Sequence, residues 1–220
     1  MEARKEMVML DLPFYKNDKT GVQCYQVSMQ IPIKHFLKKE CSLGELDRLT
    51  DRRGVFYTYT TQVVPVLYEM GLDVRYYSPI DPSPMLGGES YIREHYGKDA
   101  DAYLKFTDME SMIKSVKNML KYNLFEQRKM TSEEMEDHIR NGHIVLALID
   151  YAKLIGVKAN YSGHVVVMTG FDKDNFYIHQ CGPENPEPNM KVKKEVFLAA
   201  WNTNGTDNDI VVVFGKRPAR

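Results

Sequence analysis

Predicted helices occupy most of the first two-thirds of this 220-residue sequence, and predicted strands occupy the last third. Helices are predicted over 24–37, 43–49, 62–70, 89–96, 109–120, 133–140 and 194–201, and capping signals of the Ser/Thr-x-x-Glu type mark the helix starts after Ser42 and Thr131. Strands are predicted over 7–15, 72–77, 143–150, 165–171, 175–179 and 210–214, in segments rich in valine, isoleucine and aromatic residues, and a polar turn is predicted over 17–21. Because the two kinds of element are segregated and do not alternate, we expect an α+β fold in which a helical part packs on an antiparallel β-sheet.

Charge and chain organisation narrow the range of partners. The sequence has no internal repeat and no low-complexity linker, so we expect a single domain over residues 1–220. Lysine and arginine number 29 against 30 aspartate and glutamate, which predicts neither a nucleic-acid partner nor an anionic membrane surface. The longest apolar run, Ile144–Ile149, is far shorter than the roughly 18 residues of a membrane span. The sequence leaves the oligomeric state open.

The cysteines and the charged start of the chain indicate the compartment. Residues 1–7 contain charges and lack the apolar core of a secretory signal. The three cysteines, Cys24, Cys41 and Cys181, are an odd number and too few for a disulfide framework. We therefore expect free thiols and a reducing, cytoplasmic location.

Cys24 is the first candidate for chemistry. It follows a polar loop that contains Gly21, and a helix is predicted from Cys24 to about Leu37. The N–H groups and the positive dipole end of a helix N-terminus favour a thiolate over a thiol. A cysteine nucleophile also needs a base within hydrogen-bonding distance. A buried structural cysteine is the alternative interpretation.

His164 is the expected partner of Cys24. It opens a predicted strand directly after Gly163, which would hold the ring rigidly at a sheet edge that substrate can reach. The next strand would run antiparallel and bring residues 179–181 beside His164. A third group that orients the imidazole is therefore expected there. A histidine that only fills the end of a strand is the alternative.

Several motifs occur in an order that resembles the C39-like cysteine peptidase family. They are Pro13-Phe-Tyr-Lys, Cys24-x-x-x-Ser28, Tyr161-Ser-Gly-His164-Val-Val-Val-Met-Thr-Gly170 and Phe176-Tyr-Ile-His179. The resemblance covers about residues 8–215, and it implies a papain-like fold with a nucleophilic cysteine on a helix and a histidine on the sheet. A weaker similarity, through Gly205-Thr-Asp-Asn-Asp-Ile210, points to a related papain-like group named after guanylyl cyclase.

Carried over to this chain, the resemblance makes Cys24 the nucleophile and His164 the general base. Gln180 stands where the family has the aspartate that orients the histidine. A neutral amide can accept the imidazole N–H but cannot stabilise imidazolium by charge. The family's oxyanion-hole glutamine is not at its usual spacing. Asn17, seven residues before Cys24, could donate an amide N–H to the oxyanion, whereas an ionised Asp18 would repel it.

The leading hypothesis is a cysteine peptidase-like hydrolase that acts on a peptide or small amide through Cys24 and His164. One alternative is a catalytically inactive papain-like protein that binds a peptide. Another is an acyl transferase that forms the same acyl-enzyme. We expect no cofactor and no metal.

Two neighbouring residues leave further alternatives open. Cys181 is either a second thiol near the site, able to pair with Cys24 on oxidation, or an inert buried cysteine. His179 could bind a metal together with Cys24 and His164, but the spacing matches no standard zinc pattern.

Overall fold

A computed structural model describes residues 7–17, 22–182 and 184–218. The helices within these ranges are α1 (Cys24–Leu37), α2 (Leu43–Leu49), α3 (Thr60–Glu69), α4 (Glu89–Tyr96), α5 (Ala100–Leu104), α6 (Met109–Lys121), α7 (Ser132–Arg140), α8 (Tyr151–Leu154) and α9 (Lys194–Trp201). The strands are β1 (Val8–Met9), β2 (Leu72–Ser78), β3 (Phe125–Gln127), β4 (Ile144–Asp150), β5 (Gly163–Phe171), β6 (Asn175–Gln180), β7 (Glu187–Lys193) and β8 (Ile210–Lys216).

All of these strands belong to one sheet with the order β3-β2-β8-β4-β5-β6-β7, and β1 pairs with β5. Neighbouring strands are antiparallel except β2 and β3, which are parallel. The predicted α+β fold with a mainly antiparallel sheet is thus confirmed. The prediction of a single domain over 1–220 stays a prediction.

The sheet has a packed core on each face. Successive side chains of a strand point to opposite faces, and β5 follows this rule. Val165 and Val167 join the apolar cluster that includes α1 and α3. Val166 and Met168 join the cluster that includes α7 and α9. A third, smaller cluster joins α4, α5 and α6.

Local capping explains why several helices begin where the sequence predicts. The Ser42 hydroxyl accepts the Glu45 N–H at 3.1 Å, and the Asp108 carboxylate accepts the Ser111 N–H at 3.1 Å. At Thr131 the reciprocal contact to Glu134 is also present, so a complete capping box forms.

Other elements differ from the sequence prediction. The strand expected over 7–15 contains only Val8–Met9. The third helix begins at Thr60, not at Gln62, because the Gln62 side chain accepts the Tyr59 N–H and Tyr59 takes the N-cap position. Four elements were not expected, namely α5, α8, β3 and β7. Most of the polar turn predicted over 17–21 lies outside the described residues.

Among the helices of the described ranges, none is both long enough and apolar enough to cross a membrane.

Candidate active site

Cys24 is the first residue of α1, and α1 packs directly on β5. Burial raises the pKa of the Cys24 thiol above its ordinary value. The main-chain N–H groups of Val165 and Tyr25 oppose this shift, and so does the more distant charge of Arg52. The expected thiolate-favouring effect of the helix N-terminus is present, but desolvation exceeds it.

His164 is buried, with 6% of its surface exposed, near the start of β5. In the β4–β5 pairing His164 is opposite Ile149, which packs in the core that includes α7 and α9. The His164 ring packs edge-on against the Tyr151 ring, with the ring centroids 5.3 Å apart. Burial lowers the pKa of His164 to about 4, and a smaller hydrogen-bonding effect of Gln180 raises it. The imidazole is therefore neutral at neutral pH.

Cys181 is the thiol nearest to the imidazole. Its Sγ lies 3.9 Å from Nε2 of His164. The charge of a Cys24 thiolate also contributes to raising the pKa of Cys181, after the larger effect of burial. Cys181 thus contacts the imidazole of His164, and no hydrogen bond joins Cys24 to His164 in the described part of the chain. Cys181 is 3% exposed and burial raises its pKa, which fits an inert buried cysteine, and the interpretation as a second thiol of the site stays a prediction.

Gln180 lies at the end of β6, beside the His164 ring, as the strand pairing predicts. Its Oε1 accepts the Gly182 N–H at 2.5 Å. Its Nε2 donates to the Tyr151 hydroxyl at 3.2 Å and to the Glu184 carbonyl at 2.7 Å. Most of the hydrogen-bonding capacity of this amide therefore fixes the loop after β6.

Asn17 reaches the same region through its main chain. Its N–H donates to the Cys181 carbonyl at 2.7 Å. Both polar atoms of its side-chain amide are buried and have no hydrogen-bond partner among the described residues. Asp18, whose ionised carboxylate is expected to repel an oxyanion, lies outside the described residues.

His179 has its ring nitrogens engaged by the main chain. Nδ1 accepts the Asn189 N–H at 3.1 Å, and Nε2 faces the Leu12 carbonyl at 3.3 Å. These contacts fix the tautomer with the proton on Nε2 and give His179 a structural role. Within the described ranges, no group of three or more His, Cys, Asp or Glu side chains is placed to hold a metal ion.

A cavity of about 500 Å³ opens beside Cys24. Eight of the 14 tyrosines of the chain line it, so we call it the tyrosine cavity. One wall comes from α4, α5 and the loop before α3, and another comes from α1 and the segments that precede β5 and β8. Sequence reasoning missed this cavity because its tyrosines are scattered along the chain between residues 25 and 161.

Two carboxylates also line the tyrosine cavity. Asp209 accepts hydrogen bonds from the Thr60 hydroxyl at 2.6 Å and from the Tyr76 hydroxyl at 2.7 Å. Burial and, to a smaller extent, the charge of Asp207 raise the pKa of Asp209 to about 7. Burial also raises the pKa of Asp207. Both lie in the Gly205–Ile210 motif that the sequence singles out.

Comparison with solved structures establishes the fold class. A crystal structure described as a C39-like peptidase from Bacillus anthracis matches with a TM-score of 0.59 and 13% identity over 97% of this chain and 100% of that chain. The peptidase domain of Streptococcus ComA, a bifunctional ABC transporter involved in a quorum-sensing pathway, matches with a TM-score of 0.50, the same identity and the same coverage. The chain therefore has the papain-like α+β fold of C39 peptidase domains.

The family assignment comes from sequence. A family model described as guanylylate cyclase matches residues 16–213, and the chain belongs to that family. This agrees with the weaker of the two resemblances seen in the sequence. Comparison with curated proteins finds no match.

Proposed function

We propose that the chain is a cysteine-dependent hydrolase that cleaves a peptide or small amide bond, with Cys24 as nucleophile and His164 as general base. The observation that carries the proposal is the position of Cys24 at the N-terminus of α1, where its thiol accepts the N–H of Val165, the residue after His164 on β5, and where it lines a cavity of substrate size. Cys181 contacts the His164 ring, but neither Cys181 nor His164 is among the described residues that line the cavity.

The pKa directions define the resting state. Burial keeps Cys24 a neutral thiol and His164 a neutral imidazole at pH 7. Attack would therefore be coupled to proton transfer, since no thiolate–imidazolium pair is formed beforehand. For this step the His164 imidazole and the Cys24 thiol must come within hydrogen-bonding distance, because no hydrogen bond joins them in the described part of the chain.

The proposed reaction has two steps. Sγ of Cys24 bonds to the carbonyl carbon while its proton passes to His164, and the C–N bond breaks as His164 protonates the leaving amine. Water then attacks the thioester, which yields the carboxylic acid and restores the thiol. The Cys24 N–H and the side-chain amide of Asn17, which has no hydrogen-bond partner among the described residues, are the proposed donors to the oxyanion. Acyl transfer would differ only in the second step, where an amine or thiol replaces water.

The family description suggests nucleotide chemistry as another possibility. Asp207 and Asp209 both line the cavity beside Cys24. Their negative charge opposes a triphosphate in that cavity. The cavity therefore favours amide chemistry over cyclisation of a nucleotide.

Trapping of the acyl-enzyme tests the proposal. The protein is incubated with an activated acyl ester, and acylated peptides are identified by mass spectrometry at successive times. We expect acylation of Cys24, with Cys41 and Cys181 as internal control thiols. Loss of the base in His164→Ala should slow acylation by roughly 10²- to 10⁴-fold. In the wild type the rate should remain insensitive to His164 protonation down to about pH 4, the pKa of His164.

Two matched variants decide which sulfur reacts. Cys24→Ser should abolish acylation, whereas Cys181→Ser should leave the acylation of Cys24 in place. Acylation of Cys181 would overturn the assignment of Cys24. Acylation of Cys24 that is no faster than in the urea-unfolded chain, and that is indifferent to His164→Ala, would reject the hydrolase and favour the peptide-binding alternative.

A further inference from the structure

The tyrosine cavity has a composition that points to the charge of its ligand. On the helical wall, Tyr91 and Tyr96 come from α4 and Tyr103 comes from α5. The rings of Tyr96 and Tyr103 stack with their centroids 3.6 Å apart. On the other wall, the Tyr161 hydroxyl donates to the Gly205 carbonyl at 2.6 Å, which fixes that ring beside the loop that contains Asp207.

Asp207 lines the same cavity as these rings. Its charge contributes to raising the phenol pKa of Tyr91, Tyr96, Tyr103 and Tyr161, after the larger effect of burial on each phenol. Asp207 is therefore an electrostatic neighbour of aromatic side chains on both walls.

The cavity has an excess of negative charge. Among its described lining residues there is no lysine, arginine or histidine, and the acidic ones are Asp207 and Asp209. Asp209 has hydroxyl partners, whereas the Asp207 carboxylate accepts no hydrogen bond from the described residues. The raising effect of burial on the pKa of Asp207 is larger than the lowering effect of the neighbouring His95 on α4.

On the basis of the proposed amide hydrolysis, we infer that the tyrosine cavity binds the cationic side chain of a lysine or arginine residue next to the amide bond that Cys24 attacks. Aromatic faces attract ammonium and guanidinium groups, and a carboxylate adds a direct ion pair. The aliphatic stem of either side chain packs on the rings while its charged head reaches Asp207. The cavity is open to Cys24, so the head group and the scissile amide occupy one continuous space.

Other ligand classes fit these residues less well. An anionic group would be repelled by both carboxylates. A neutral apolar group would leave the partly buried Asp207 carboxylate without a partner. Divalent cations prefer six or more oxygen ligands, but here aromatic carbon surrounds two carboxylates, one of which is already bonded to two hydroxyls.

Calorimetric titration of the Cys24→Ala protein separates ligand binding from catalysis. The probes are Nα-acetyl-lysine methylamide and the uncharged Nα-acetyl-norleucine methylamide, at pH 8, above the range in which histidine ordinarily titrates. We expect the lysine amide to bind roughly tenfold more tightly than the norleucine amide. Asp207→Asn should remove that preference, whereas Asp174→Asn, at an exposed aspartate in the turn after β5, should keep it.

A second variant keeps the test decisive if Asp207→Asn does not fold. Tyr103→Leu preserves apolar volume but removes a ring face. It should therefore weaken the binding of the lysine amide more than the binding of the norleucine amide. Lysine-amide binding no tighter than norleucine-amide binding would overturn the inference. Saturable binding of magnesium or of GTP that is lost in Asp207→Asn would overturn it in favour of a metal or nucleotide site. Lysine-amide binding without any acylation of Cys24 in the wild type would support the cavity assignment and reject the proposed hydrolase.

Discussion

Replacing Asp209 with asparagine removes a carboxylate that the fold holds in an unfavourable environment. Asp209 is 6% exposed, and its near neighbours are the hydroxyls of Thr60, Tyr76 and Ser78, the Tyr25 ring and the like-charged Asp207. Burial raises the pKa of Asp209 to about 7, whereas an aspartate in an unfolded chain titrates near 3.9. The native state therefore binds a proton more tightly than the unfolded state.

The sign and the size of the effect follow from linkage. Between about pH 4 and pH 7 the native state carries more protons, so the Asp209 contribution to stability falls as the pH rises and is lowest above pH 7. A pKa difference of about three units corresponds to about 4 kcal/mol. An amide keeps only part of the two carboxylate hydrogen bonds. We therefore expect Asp209→Asn to raise the free energy of unfolding by about 2–4 kcal/mol at pH 8 and to give no gain near pH 4.

Urea unfolding followed by circular dichroism, at several pH values between 4 and 8.5, measures this difference. Because the pKa of His164 is lowered in the native state, the His164 contribution to stability rises with pH, opposite to that of Asp209. The variant and the wild type are therefore compared at each pH. At pH 8 the melting temperature should rise by roughly 5–10 °C. Asp174→Asn, at an exposed aspartate, should change neither the free energy of unfolding nor the melting temperature. A stability difference that is constant from pH 4 to pH 8.5 would refute the reasoning.

Two further predictions concern packing. Gly170→Ala should destabilise the protein by about 1–3 kcal/mol in urea unfolding, because a Cβ at Gly170 would collide with the Val8 carbonyl where β1 pairs with β5; an unchanged midpoint would show that β1 is not held there. Phe197→Ala should lower the free energy of unfolding by about 3–5 kcal/mol, because Phe197 is fully buried and packs edge-on against Phe176 with the ring centroids 5.0 Å apart. A loss below 1 kcal/mol would contradict this packing.

Elements with a local signal could be predicted from the sequence. The bounds of α1, α2, α4 and α9 agree with the prediction. Of these helices, α2 begins at the Ser42 side-chain cap and α4 ends at Gly97, which has a positive φ, whereas α1, α4 and α9 begin without a side-chain cap. The edge strand β7 has no such signal. It reads Glu-Pro-Asn-Met-Lys-Val-Lys and is mostly exposed, and only its pairing with β6 makes it a strand. Its position depends on tertiary contacts that no local pattern contains.

For the candidate site, the sequence predicts which strands are neighbours but not the directions in which their side chains point. Antiparallel pairing predicts Gln180 near His164, where the structure has its side chain, whereas Cys24 reaches β5 through the Val165 N–H. Alternation along β5 then turns the His164 ring to the face opposite Val165, toward Tyr151 and Cys181. A strand boundary shifted by one residue reverses such an assignment, and sequence patterns do not fix boundaries that closely.

The stability effect at Asp209 and the inferred preference of the tyrosine cavity for a cationic side chain have the same electrostatic origin. The buried carboxylate of Asp209 and the partly buried carboxylate of Asp207 have raised pKa values, destabilise the unliganded fold and repel each other. A cationic side chain in the cavity would lower both pKa values, so its binding energy would include relief of that repulsion. Below pH 7 its binding should therefore release protons from Asp209. Asp209→Asn should then stabilise the empty protein while it weakens the lysine amide, and a variant that gains stability without losing affinity would separate the two effects.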